Sequence, residues 1–541
     1  MASNKMVIYQ VFTRLYGNRC QTRKPFGTIE ENGSGKMNDF SPSVLKQIRE
    51  MGITHVWYTG IIRHATTTDY SRFGIPQQHP AVVKGKAGSP YAITDYYDVD
   101  PDLAVNVGKR MEEFEKLVNR THRAGLKMII DFVPNHVARQ YQSVAKPEGV
   151  VDLGEHDNTE HGFDPQNNFY YCPGQAFAPY FDLYHGEKEP YSELPAKATG
   201  NDCFHNAPGQ NDWYETVKLN YGVDYYAGRV GHFTPVPDTW TKMLHILLYW
   251  AGKGVDGFRC DMAEMVPAEF WAWVTSQVHE RYPQVIFVGE VYNPSEYRRY
   301  VASGFDFLYD KVGMYDAMID VLCHRRPTSA ITWAWQQTDD IRDHMLYFLE
   351  NHDEQRLASQ FCVGSAEKAL PALVVSMLLQ KNPFMLYAGQ EWGERGMDSE
   401  GFSGLDGRTT IFDYWALSDE RENAVSAYYR KVLSIARQEK AVSEGLSFDL
   451  MYVNQEYQRQ YAFLRAYKNE LLLVVANFDD VPVTMQLNIP VHAFDYLGIK
   501  EGDVKATDLI SGAESSLSLH PDAPVSISLA PRQSVVMRVE C

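Results

Sequence analysis

The stretch "GVDGFRCDMAEM" (254–265) places Arg259 and Asp261 two positions apart on a segment that otherwise reads as a buried strand. On a strand their side chains leave the same face. Charged groups there are costly unless they are paired. Other apolar strands end in similar groups. "DFVPNH" supplies Asp131, Asn135 and His136, "FVGE" supplies Glu290, and "ENHDEQR" supplies His352 and Asp353. Each alone is ordinary, since a strand-end aspartate commonly caps a helix or anchors a loop. Converging at one mouth, they would make a site.

Pairs of carboxylates without a metal-binding motif point to cleavage of glycosidic bonds. One carboxyl group must be protonated to donate to the leaving oxygen. Another must stay ionised, and an adjacent guanidinium favours that state. Arg259 is therefore expected to hold Asp261 ionised as a nucleophile, with Glu290 on the neighbouring strand as acid/base.

These residues need a scaffold that brings strand ends together. "MVIYQVFT" (6–13) reads as a strand. The helix "SPSVLKQIREMG" follows, with Ser41 as N-cap, Pro42 in the first turn, Val44, Leu45, Ile48 and Met51 on one face, and Gly52 as the stop. Strands follow at 53–60, 127–133, 255–261, 284–290, 305–310, 345–351 and 383–391, with helical patterns between several of them. Eight such strands predict an α/β fold, a parallel (β/α)₈ barrel, whose chemistry sits at the C-terminal strand ends. A doubly wound sheet is the alternative, but the first strand lacks the Gly-rich dinucleotide fingerprint.

The barrel is assigned to 1–136 and 231–440. Residues 137–230, rich in Asn, Asp, Gly, Pro and Tyr, make the third connection far too long for a simple loop and read as an inserted domain. Residues 441–541 are β-rich with turns between and read as an all-β sandwich.

Composition narrows the partners. The net charge of −18 disfavours nucleic acid and anionic membranes. The 13% of aromatic residues can fill cores or offer flat platforms to sugar rings. No apolar run reaches 18 residues, and "MASNKMVIYQ" is no secretory signal, so a cytoplasmic location is expected. Seven scattered cysteines contain no CxxC pair, so free thiols are expected, Cys172 and Cys203 included.

The segments "DFVPNH", "GFRCD", "FVGEV" and "ENHD", in this order and spacing, resemble the α-amylase family of glycoside hydrolases. The resemblance spans the barrel, the long insertion and the C-terminal β-domain. It implies a retaining mechanism on α-glucosidic bonds of starch, glycogen or maltooligosaccharides. It makes Asp261 the nucleophile, Glu290 the acid/base and Asp353 a stabiliser of the distorted sugar. His136 and His352 would bond the reacting sugar, and Arg259 would pair with the nucleophile. "GSPYAITDYYDVDP" is similar to the family segment after the second strand, so Tyr91 should stack under that sugar.

The chain also departs from the family. Glu264 and Met265 stand where many α-amylases carry Lys-His against the leaving-group sugar, which implies a rebuilt aglycone subsite. Asn135 matches a family calcium ligand, but Lys218 in "TVKLNYG" replaces the aspartate that often completes the site. Calcium is expected to be weak or absent there, with no cofactor required. Ser34 and Lys36 likewise interrupt the oxygen pattern of "ENGSGKMNDF", which reads as a turn. A 4-α-glucanotransferase, an α-glucosidase and a cyclomaltodextrinase share these motifs and stand as alternatives. A noncatalytic glucan-binding relative is disfavoured, because all three central carboxylates are present.

Overall fold

The computed structural model describes residues 5–183, 189–402 and 404–540. Eight parallel strands close into a barrel: β1 (Val7–Phe12), β2 (His55–Thr59), β3 (Lys127–Phe132), β4 (Gly257–Cys260), β5 (Ile286–Gly289), β6 (Phe307–Tyr309), β7 (Met345–Phe348) and β8 (Phe384–Tyr387). Neighbours run in sequence order around the ring, and β1 closes on β8. The doubly wound alternative is thereby excluded.

Alternation sorts each strand's side chains. Ile8 of β1 faces inward, where it packs with Trp57, Ile129, Val288, Leu346 and Met385. Val7, Tyr9 and Val11 belong instead to the layer between strands and helices. In the helix Pro42–Glu50, the Ser41 side chain accepts the Val44 N–H, and Leu45 and Ile48 are buried. The helix Arg110–Arg123 buries Phe114, Leu117 and Val118 against the same layer. Leu117 is fully buried, so truncating it to alanine is expected to cost about 2–5 kcal/mol.

Two long excursions depart from the plain repeat. After β2 the chain forms an antiparallel pair, Ile62–His64 with Ile93–Val99, that the alternating reading of the sequence did not anticipate. Its acidic side chains are buried against arginine: Arg63 lies 3.1 Å from Asp98 and 3.3 Å from Asp95. After β3, His136–Ala138 pairs with Thr216–Lys218, and the segment between them holds few strands. Asn and Asp side chains bond the backbone there instead; Asp157, for example, accepts the Asn168 and Phe169 N–H groups.

Beyond the helix Ala424–Gln438, a six-stranded antiparallel sheet begins at Leu446, and Val483–Leu487 pairs separately with Val525–Leu529. One helix, Val491–Leu497, interrupts this otherwise β-rich region. The six described cysteines, Cys172 and Cys203 among them, are free thiols. No helix among the described residues is long and apolar enough to cross a membrane.

Candidate active site

Arg259 sits at the centre of the barrel mouth and is fully buried. In register it lies beside Asp131 of β3 and Val288 of β5. Its Nη1 donates to Asp261 Oδ1 at 2.6 Å, so the two side chains do leave one face and meet. Its Nη2 lies 2.8 Å from Glu290 Oε2 at an angle too poor for a hydrogen bond, which leaves a charge contact. The guanidinium is boxed by the rings of Trp57, Tyr91 and Tyr309, with centroids 5.2, 5.4 and 5.5 Å from its carbon. Burial opposes the charge on this arginine, and the neighbouring Glu290 and Asp261 carboxylates outweigh that and keep it charged.

Burial pushes the Asp261 carboxyl well above the ordinary carboxylate range; Arg259 opposes that shift and the neighbouring Glu290 adds to it. Asp261 and Glu290 thus approach one guanidinium from the ends of neighbouring strands. Glu290 is held by other donors too. The Met262 N–H bonds Oε2 at 2.8 Å, and the Tyr292 hydroxyl bonds Oε1. Met262 reaches this position with φ of +44°, a left-handed conformation that a non-glycine residue adopts at a cost.

His352 is buried, and burial with the nearby Arg259 pushes its imidazole well below its usual value, so it stays neutral. Gln10 Nε2 lies 2.8 Å from its Nδ1, leaving Nε2 to face the Tyr91 hydroxyl and, at 3.1 Å, Asp353 Oδ2. His136 is lowered to about 3, first by burial and then by Lys218. Its ring meets Trp213 of the inserted segment edge-on, with centroids 5.3 Å apart. Asp131 is raised to about 6 by burial against the pull of Arg259, and the Gly60 N–H bonds its Oδ2. It lies below the mouth and does not line the cavity.

A cavity of about 470 Å³ is lined by Asp261, Glu290, Asp353, Tyr91 and His136. Arg259 and His352 stand just behind it, bonded to its walls. Glu264 and Met265 do not line it. They sit in a single 3₁₀ turn, and the Glu264 carboxylate accepts the Tyr292 and Asn293 N–H groups at 3.0 Å each. Met262, Tyr292, Trp213 and Arg408 line the cavity instead. Sequence patterns missed them, although Tyr292 lies two residues beyond Glu290.

Lys218 occupies the place weighed for calcium. Its ammonium is buried, 2.7 Å from Asn135 Oδ1 and 2.6 Å from Asp202 Oδ1. The Asn135 amide nitrogen bonds the Gly200 carbonyl. A cation that takes two of the oxygens and brings no lone pair leaves a donor set that does not fit calcium, which takes six to eight oxygens. In the other loop considered, Asp39 Oδ2 accepts the Lys36 N–H and the Lys36 ammonium bonds the Asp102 carbonyl. Among the described residues, no group of three or more His, Cys, Asp or Glu is placed to hold a metal ion.

A sequence profile described as the alpha amylase catalytic domain matches residues 24–444. The chain is 23% identical over 464 residues to alpha-amylase 3 of Dictyoglomus thermophilum, across 79% of this chain and 82% of that protein. It is 23% identical over 515 residues to a cyclomaltodextrinase of Thermoanaerobacter pseudethanolicus, across 92% of this chain and 74% of the relative. Among solved structures, the noncanonic maltogenic alpha-amylase AmyB of Thermotoga neapolitana superposes with a TM-score of 0.66 at 20% identity, over all of both chains.

Proposed function

We propose, from the premise that this chain belongs to the α-amylase family and is a glycoside hydrolase acting on α-glucans, that Asp261, Glu290 and Asp353 carry its reaction. The observation that carries this reading is the shared guanidinium: Asp261 and Glu290 both reach Arg259 and both face the cavity. Carboxylates so closely tied favour the shorter separation of retaining glycosidases, about 5–5.5 Å, over the wider gap that admits a water between them.

In this reading Asp261 attacks the anomeric carbon while Glu290 gives its proton to the leaving oxygen. A covalent glycosyl-enzyme forms. Glu290, now ionised, takes a proton from water, whose oxygen displaces Asp261. Asp353 accepts hydrogen bonds from the hydroxyls of the distorted ring. His136, neutral, serves as a hydrogen-bond partner of the same sugar, the Tyr91 ring underlies it, and His352 holds Tyr91 and Asp353 from behind. Arg259 donates a hydrogen bond to Asp261 but none to Glu290, which favours charge on the nucleophile. Asp131 supports Arg259 from below. Glu264 is a positioning residue that holds the backbone carrying Tyr292. No calcium is needed at Asn135, because the Lys218 ammonium already balances Asp202.

The test is covalent trapping. A fluorinated α-glucosyl fluoride that forms the intermediate but turns over slowly should label one peptide, at Asp261. A label on another residue, or none in an enzyme that cleaves maltoheptaose, would overturn the assignment.

A further inference from the structure

The cavity is walled very differently on its two sides. Around the closed barrel, β5, which presents Glu290, stands opposite β1, and the excursions after β2 and β8 flank β1. The leaving group must lie on the Glu290 side, because that residue protonates its oxygen. The loops after β2 and β8 therefore face the glycone, the part of the chain on the non-reducing side of the cut.

Those loops are joined to one another. The Ala87 and Gly88 N–H groups donate to the Phe412 carbonyl at 3.1 and 3.0 Å, and the Lys86 N–H to Asp413 Oδ1 at 2.8 Å. Arg14, buried in the turn after β1, clamps both. Its guanidinium donates to the carbonyls of Ala87 and Gly88 on one loop and of Ile411 on the other. The approach is too close for a side chain at Gly85, where a Cβ would stand 2.2 Å from the Phe412 oxygen. Lys84 then reaches Glu215 of the inserted segment at 3.1 Å, tying the third wall to the other two.

Ser89, Tyr91, Arg408, Ile411 and Phe412 are buried on this side, with Lys84 and Phe402 half-buried; Met262 and Tyr292 on the Glu290 side are half-buried. The Arg408 guanidinium lines the cavity, 3.8 Å from Asp353 Oδ1.

We infer that the cavity is a dead end on the glycone side, so that the enzyme reads the non-reducing end of an α-glucan and releases one short product of constant length. This rests on the assignment of Asp261 and Glu290 given above. A chain passing through toward further glycone units would have to breach the junction of 85–88 with 411–413. Released units enter from the chain end, and the remainder leaves over Met262 and Tyr292.

The experiment compares p-nitrophenyl maltoheptaoside with the same compound carrying a 4,6-ethylidene block on its non-reducing glucose, with reducing-end fragments separated by chromatography. The expected result is one early fragment from the free substrate and an initial rate at least about a hundredfold lower on the blocked one. Equal rates, or a spread of early fragments from the free substrate, would overturn the dead end while leaving the catalytic assignment intact. Failure to cut either compound, even as wild type, would overturn the assignment on which the inference rests.

Discussion

Two buried cations stand on neighbouring sides of the same mouth, and they do opposite things. Arg259 lies on a barrel strand and contacts two carboxylates that face the cavity. Lys218 lies on the short strand Thr216–Lys218 and joins an amide and a carboxylate away from it. The planar fork of arginine can serve two carboxylates at once, and the aromatic box keeps it from moving. The lysine ammonium acts as a compact charge between Asn135 and Asp202. One cation sets where a reaction's charge sits, and the other holds the inserted segment to β3. Burial alone does not separate these roles; what the partners face does.

The largest effect expected is at Arg259. Arg259→Lys should lower kcat/KM on maltoheptaose by about a thousandfold or more, since a point charge cannot reproduce the fork. Steady-state kinetics beside a melting curve would check this, with the melting temperature as the lesser change. An active variant would break the comparison at its centre.

The next concerns pH. Asp261 must be ionised to attack, and burial with the Glu290 charge raises its pKa. Activity should therefore fall as the pH drops through a value above the ordinary aspartate level of about 4. Glu290→Gln removes one of the charges that raise Asp261. Assayed on α-glucosyl fluoride, whose leaving group needs no proton, that variant should show its acid limb at lower pH. An unmoved limb would mean that the Glu290 charge does not raise Asp261.

Lys218→Met should show the reverse of the arginine variant. Loss of the ammonium strands Asp202, whose side chain keeps 24% of its exposure, so the cost should stay near the lower end of a broken buried pair, about 1–3 kcal/mol. In a chain of this size that is a shift of a few degrees in Tm, with kcat/KM on maltoheptaose changed less than about threefold. A large kinetic loss with an unchanged Tm would put Lys218 in the chemistry instead. The smallest effect is on the wild type itself, where a chelator should move neither Tm nor activity. Lys218→Asp should instead gain a Tm that rises with added calcium, because it restores an oxygen beside Asn135 and Asp202.

Much of this was legible beforehand, for identifiable reasons. The eight barrel strands stand out because each is a short apolar run bounded by turns, and helices between them keep a 3.6 period, as in Arg110–Arg123. Arg259 and Asp261 were legible as a pair because two residues on a strand always share a face. The pair Ile62–His64 with Ile93–Val99 was not, because its strand "ITDYYDV" carries acidic residues whose partners, Arg63 and Arg110, lie outside that strand. The resemblance to the family placed Glu264 in a rebuilt aglycone subsite. A 3₁₀ turn bends it toward the Tyr292 backbone. Trp213 gave no signal at all, since a lone tryptophan in a loop-rich insertion has no period to read.

The sequence by itself determined the barrel, its long insertion, the β-rich C-terminal region and the residues at the strand ends. Those properties are local: alternation, capping and turn chemistry act within a few residues. Only the tertiary structure decided that Asp261 and Glu290 share one guanidinium, that Lys218 sits between Asn135 and Asp202, and that residues 85–88 seal against 411–413. Each of those is a contact between segments distant in the chain, and its distance is fixed only when the whole barrel closes.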